Sequence, residues 1–183
     1  LGRKLKHKDS LGRVLLGSND PYYKKPSYIY LFQTNHEDFR KFGISDDPEE
    51  RAKRAWKDKD LYKELLMSFK VPDRMTACAI EQALIQHPKN LSIFARHQLS
   101  KPIRGKTTLL MHKRALEFLK NRGKYNSELT AMSLEEIQKN ICELIDSWFS
   151  NTPRDFFNIH APDLMKKLNK QIQQLLNQTL VVV

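Results

Sequence analysis

The sequence predicts an α+β fold: a small, mainly antiparallel three-stranded sheet flanked by helices, with a helical C-terminal extension. Three observations predict it. Runs rich in aromatic and branched residues at 28–33, 39–44 and 65–71 have the length of strands. Only a short polar stretch, Thr34 to Asp38, separates the first two, as in a hairpin. Helix-capping residues stand after the second run, after the third, and again near residue 133.

The elements follow in order. Residues 1–27 are polar, basic and broken by Gly2, Gly12, Gly17, Pro21 and Pro26, so they read as an arm, with Val14-Leu15-Leu16 as the part able to dock on a core. Tyr28 to Gln33 and Phe39 to Ile44 form the hairpin. A turn at Asn35-His36 would set Tyr30 opposite Lys41 and put Tyr28, Tyr30, Phe32, Phe39, Lys41 and Gly43 on one face, with Ile29, Leu31, Arg40, Phe42 and Ile44 on the other, core-like face. Asp47, Pro48 and Glu50 make a capping box for a helix to about Trp56, with Ala52, Ala55 and Trp56 as its apolar stripe.

The third strand, 65–71, ends at Pro72, and Asp73 caps a helix over about 74–87. A basic segment follows, irregular at first and helical from about Thr108 to Lys120. Ser133 with Glu136 opens a helix to about Phe149. A last helix begins near Pro162, with Leu164, Leu168, Ile172 and Leu175 at helical spacing; that stripe predicts packing within the chain, with self-association as the other use. The regions expected are a basic arm at 1–27, a core with its basic segment at 28–124, and a helical region at 125–183.

The net charge of +11 points to a polyanion, and its distribution says more than its sum. Residues 1–25 hold seven bases and two acids, 26–88 hold ten and eleven, 89–124 hold ten and one, and 125–160 hold two and six. Two basic segments around a neutral region suggest a track for phosphates beside a site. No apolar run is long enough for a membrane span, and no apolar stretch follows the first charges, so neither membrane insertion nor a secretory leader is expected. The two cysteines, Cys78 and Cys142, lack metal-site spacing and read as buried thiols of a reducing, intracellular compartment, cytoplasmic or nucleoid-associated. The histidines form no metal pair at helical spacing. Lys101 to Thr108 lacks the first glycine of a nucleotide-binding loop and no strand clearly precedes it, which argues against nucleotide hydrolysis and for contact with a DNA backbone.

Glu81 is the oddest single residue. Its neighbours one helical turn away are Ala77, Cys78, Leu84 and Ile85, so a carboxylate is set among apolar groups, either buried or at a cavity rim. Taken one at a time, other residues have plain readings: Tyr30 as a cross-strand aromatic, Lys41 as an edge-strand lysine, Arg51 as a solvated helix residue paired with Asp47 or Glu50.

Together they resemble a family. Tyr28-Ile29-Tyr30, ten residues, Lys41-Phe42-Gly43-Ile44-Ser45, then Arg51, then Glu81 resembles the GIY-YIG nuclease pattern, in the branch with Lys in place of the second tyrosine. The resemblance covers about residues 28–87. It implies a DNA endonuclease of restriction, mobile-element or phage type that cuts phosphodiester bonds with one divalent ion, Mg²⁺ or Mn²⁺. Tyr30 would contact or deprotonate the attacking water. Lys41 would ease the ionisation of Tyr30 or help activate the water, Arg51 would stabilise the charged transition state, and Glu81 would hold the ion. Double-stranded DNA is the expected partner, gripped by Arg54 and, in the basic segment, by Lys101, Arg104, Lys106, Lys113 and Arg114.

The pattern is departed from in three places. Tyr28 replaces the first glycine. Ala55 stands where His or Tyr is common. Gly105-Lys106-Thr107-Thr108 resembles a late Gly-x-Thr-Glu motif with Thr108 in place of the acid, and Asn90 is the candidate for a late asparagine. The alternative is therefore a non-catalytic DNA-binding protein on a degenerate fold of this type; a third reading is a protein that self-associates through its last helix, as a homodimer.

Overall fold

Strand β1 (Ser27–Thr34) is flanked on one side by β2 (Arg40–Ser45) and on the other by β3 (Tyr62–Val71). A two-residue strand, β4 (Leu129–Thr130), adds to the far side of β2, giving an antiparallel sheet of order β3-β1-β2-β4. The computed structural model describes residues 11–17, 19–34, 39–55, 62–90 and 128–181. The helices are α1 (Pro48–Ala55), α2 (Arg74–Gln86), α3 (Leu134–Ser150), α4 (Pro153–His160) and α5 (Pro162–Val181). The fold is thus α+β with an antiparallel sheet flanked by helices, but the sheet has four strands, not three.

The caps act as their side chains dictate. Asp47 accepts from the Glu50 amide (3.1 Å), Asp73 from the Thr76 amide (2.8 Å) and Ser133 from the Glu136 amide (3.2 Å). Helix α4 escaped the sequence reading although its start is well marked: Thr152 accepts from the Asp155 amide and Pro153 occupies the first turn. Its eight residues are too few for a convincing period. β3 begins at Tyr62, earlier than the expected 65, and bulges against β1 after Leu31 and after Gln33.

The hairpin register also departs from expectation. Tyr30 lies opposite Gly43, and Lys41 opposite Phe32. The Thr34 hydroxyl donates to the Phe39 carbonyl (2.7 Å), joining the two strand ends; the expected turn at Asn35-His36 lies outside the described residues. The slip is two residues. Side chains alternate with period two, so every residue keeps the face expected of it.

Each face has its own core. Ile29, Leu31, Phe42 and Val71 face a large cluster that includes Ala77, Ile80 and Leu84 of α2, Ile137 and Ile141 of α3, Phe156 and Phe157 of α4, and Leu164 and Leu168 of α5. The last-helix stripe is therefore packed within the chain: Leu164, Leu168 and Ile172 are buried. Residues 11–15 are helical, with Leu11 buried and Val14 and Leu15 against the same cluster, so this part of the arm is docked. On the opposite face a small cluster joins Tyr30, Phe32 and Ala52 of α1, with Leu65 beside them. Cys78 is buried, but Cys142 is exposed, contrary to the expectation of two buried thiols. No helix among the described residues is long and apolar enough to cross a membrane.

Candidate functional site

Gly43 sets the geometry. A β-carbon there would stand 2.4 Å from the Tyr30 Oη and 2.6 Å from its Cζ. Only glycine leaves space for this ring, which lies across the neighbouring strand. Tyr30 is 3% exposed, and its ring packs on Phe32 at 4.4 Å between centroids.

Lys41 points into the same region. β2 lies between β1 and β4, so Lys41 is not the edge-strand lysine of its plain reading. It is 6% exposed, and its Nζ stands 5.5 Å from the Tyr30 ring centroid, within cation–π range. Nζ donates to Glu128 Oε2 at 2.7 Å and to the Phe42 carbonyl at 3.3 Å. A lysine ammonium has three N–H donors.

Burial alone would drive the Lys41 ammonium toward neutrality. The charge of Glu128, followed by Tyr30, the hydrogen bond Lys41 donates to Glu128 and last Glu81, outweighs it, and the pKa is raised above the ordinary lysine value. Lys41 is thus an ammonium at neutral pH. That removes it as a proton acceptor and leaves it as a cation.

Glu128 was missed by the sequence reading, which looked for a late acid at position 108. It precedes β4 by one residue, and its carbonyl accepts from the Phe42 amide (3.0 Å), so the sheet ladder pins it beside Lys41. The weak signal is Glu128-Leu129-Thr130: a strand of two residues is too short for any alternation to be read.

Glu81 comes from the other layer. α2 packs on the large-core face, whereas Tyr30 and Lys41 project from the opposite one. The carboxylate is half-buried, as its apolar neighbours implied, and its charge reaches Lys41 as the smallest of the raising influences. It acts also on Tyr22 and on Cys78. Burial, aided by Glu81, pushes the Cys78 thiol well up, which makes it a poor nucleophile. Arg74, another residue not anticipated, lies over the Tyr22 ring at 4.6 Å and forms an ion pair with Asp46, just after β2. It ties the start of α2 to the end of β2.

Arg51 is exposed on α1 and forms no ion pair among the described residues. Its expected partner Glu50 is instead 3.7 Å from Arg54, in an exposed pair one helical turn apart. Such a pair contributes only about 0.3–0.5 kcal/mol, so Arg54 stays available to a phosphate. Lys101, Arg104, Lys106, Lys113 and Arg114 lie outside the described residues, as does the sequence Gly105 to Thr108. Asn90 is 4% exposed; its Nδ2 donates to the Leu84 carbonyl (2.7 Å), closing the end of α2, and its Oδ1 is buried without a hydrogen-bond partner.

The arrangement brings together a phenol, an ammonium and a carboxylate on the small-core face, with a second carboxylate in electrostatic reach. Among the described residues no group of three or more His, Cys, Asp or Glu could enclose a metal ion. A half-buried glutamate fits a different kind of metal site, in which one hard oxygen ligand is completed by water and a substrate phosphate, as Mg²⁺ commonly is.

Comparison with models of known families, with curated proteins and with solved structures finds no match to this chain.

Proposed function

We propose that the protein is a metal-dependent DNA endonuclease of the GIY-YIG type, with Tyr30, Lys41, Arg51 and Glu81 as its active residues. The observation that supports this best is the Tyr30–Lys41–Gly43 arrangement. A buried ammonium over a phenol ring, held in place by a missing side chain on the next strand, is costly to build for packing alone. Its order along the chain is that of the nuclease pattern.

In this reading the substrate is double-stranded DNA. The ion held by Glu81 would polarise the scissile phosphate and neutralise the leaving 3′-oxygen. Tyr30 would orient the attacking water or, as a phenolate, take its proton. Lys41, already charged, stabilises negative charge on the phenol and on the phosphate, and does not itself take the proton. Arg51, exposed on α1, is free to turn its planar guanidinium on the phosphate as charge develops there. Cleavage leaves a 5′-phosphate and a 3′-hydroxyl. Arg54 and the segment 89–124 hold the duplex.

The second reading, a DNA-binding protein without catalysis, is favoured by one observation. Tyr30 and Lys41 are nearly out of solvent, and Arg51 and Glu81 belong to elements on opposite faces of the sheet. Self-association is an accessory proposal; it would use the exposed side of α5, where Leu176 is 45% exposed, because the apolar stripe is already packed.

Supercoiled plasmid incubated with Mg²⁺, with Mn²⁺ or with EDTA tests the choice. Metal-dependent nicking that Glu81→Ala abolishes is the expected result. Salt-sensitive binding of the plasmid without nicking by the wild-type protein would overturn the catalytic reading in favour of the second.

A further inference from the structure

We propose that Glu128 is a positioning residue of this site, whose carboxylate holds the Lys41 ammonium over the Tyr30 ring. The catalytic consequence rests on the nuclease reading; the pairing itself does not.

Three observations converge. First, the pair is short and dry: Nζ to Oε2 is 2.7 Å, with side-chain exposures of 7% and 8%. Second, Glu128 is fixed by more than its side chain. Its carbonyl accepts from the Phe42 amide, and Leu129 pairs with Lys41 across the ladder, so the backbone that carries the carboxylate is held beside Lys41. Third, a second contact locates the ammonium: Nζ also donates to the Phe42 carbonyl at 3.3 Å while standing 5.5 Å from the Tyr30 ring centroid.

The neighbouring charges set the chemistry. The charges that act on Lys41 are those of Glu128 from beside β4, Tyr30 from β1 and, least, Glu81 from α2 in the other layer. Of these Glu128 has the largest influence. Without its charge the largest influence opposing burial is gone, and Lys41 would lose its proton at lower pH. Glu128 therefore fixes both where the ammonium is and over what pH range it remains one.

The test is Glu128→Gln, which preserves shape and an acceptor oxygen but removes the charge. Lys41 is followed by NMR of its ε-methylene during pH titration, and plasmid nicking is followed in parallel with Mn²⁺. The expected result is a Lys41 midpoint at least one pH unit below wild type. Nicking should match wild type near pH 7, fall away as pH rises through the lowered Lys41 midpoint while wild type still holds its rate, and show an unchanged Mn²⁺ concentration for half-maximal rate. An unchanged Lys41 midpoint would overturn the proposal, and so would an activity loss of equal size at every pH. If the wild-type protein does not nick, the nuclease reading fails, and the Lys41 midpoint still decides the pairing. If Glu128→Gln does not fold, Glu128→Asp, which draws the carboxylate back by one methylene, should give a midpoint between wild type and the ordinary lysine value; a midpoint equal to wild type counts against it.

Discussion

Replacing Gly43 with alanine puts a methyl group where the Tyr30 ring already lies. The new carbon would meet Oη at 2.4 Å and Cζ at 2.6 Å, both far inside contact distance, and Cε1 at a tight 3.1 Å. Tyr30 cannot simply swing aside, because Phe32, Ala52 and Lys41 surround it. Overpacking of this kind costs about 1–3 kcal/mol. For a chain of this length each kcal/mol lowers Tm by about 2–4 °C. Urea unfolding followed by circular dichroism measures the loss. A double-mutant cycle identifies its cause: in a Tyr30→Ala background the clash is gone, and Gly43→Ala should be neutral or stabilise by about 0.5–1 kcal/mol, since alanine suits a strand better than glycine. Equal destabilisation in both backgrounds would refute the reasoning, because the ring would then not be what the methyl group meets.

Further outcomes are expected. Glu128→Leu alone leaves Lys41 buried without its counter-charge and should destabilise by about 3–5 kcal/mol, whereas Lys41→Met combined with Glu128→Leu should recover most of it; denaturant titrations of both variants check the non-additivity. Asp73→Ala removes the acceptor for the amide and hydroxyl of Thr76 and should cost about 1–2 kcal/mol by thermal unfolding. Arg54→Ala should change stability by less than about 0.5 kcal/mol, because its pair with Glu50 is exposed, while weakening plasmid binding measured by fluorescence anisotropy. Burial pushes the His160 pKa below its ordinary 6.5, so the folded state prefers the neutral ring. That contribution to stability is complete above pH 6.5 and is lost as pH falls through the lower, folded value, so His160→Gln should flatten the decline in Tm on acidification below pH 6.5.

Local chemistry, read along the chain, determined a great deal here. Asp47, Asp73 and Ser133 each have a side-chain oxygen of the right reach for the free amides of a helix start, and each caps one. The faces of β1 and β2 were legible because alternation survives any even slip of register. Glu81 was legible as an oddity because a carboxylate among alanine, cysteine and leucine has few places to be. The charge of the segment 89–124 depends on composition alone.

What only the tertiary structure decided involves partners distant in sequence. The hairpin pairing of Tyr30 with Gly43 depends on where Thr34 closes the loop, a matter of one hydroxyl and one carbonyl. A partner of Lys41, Glu128, comes from 87 positions along the chain, just before a strand of two residues that no pattern could announce. The protonation of Lys41 follows from that contact, since burial and an opposing charge act in opposite directions and only their distances decide which prevails. A chain can declare which residues are chemically unusual; which of them meet, and in what charge state, is settled by long-range packing.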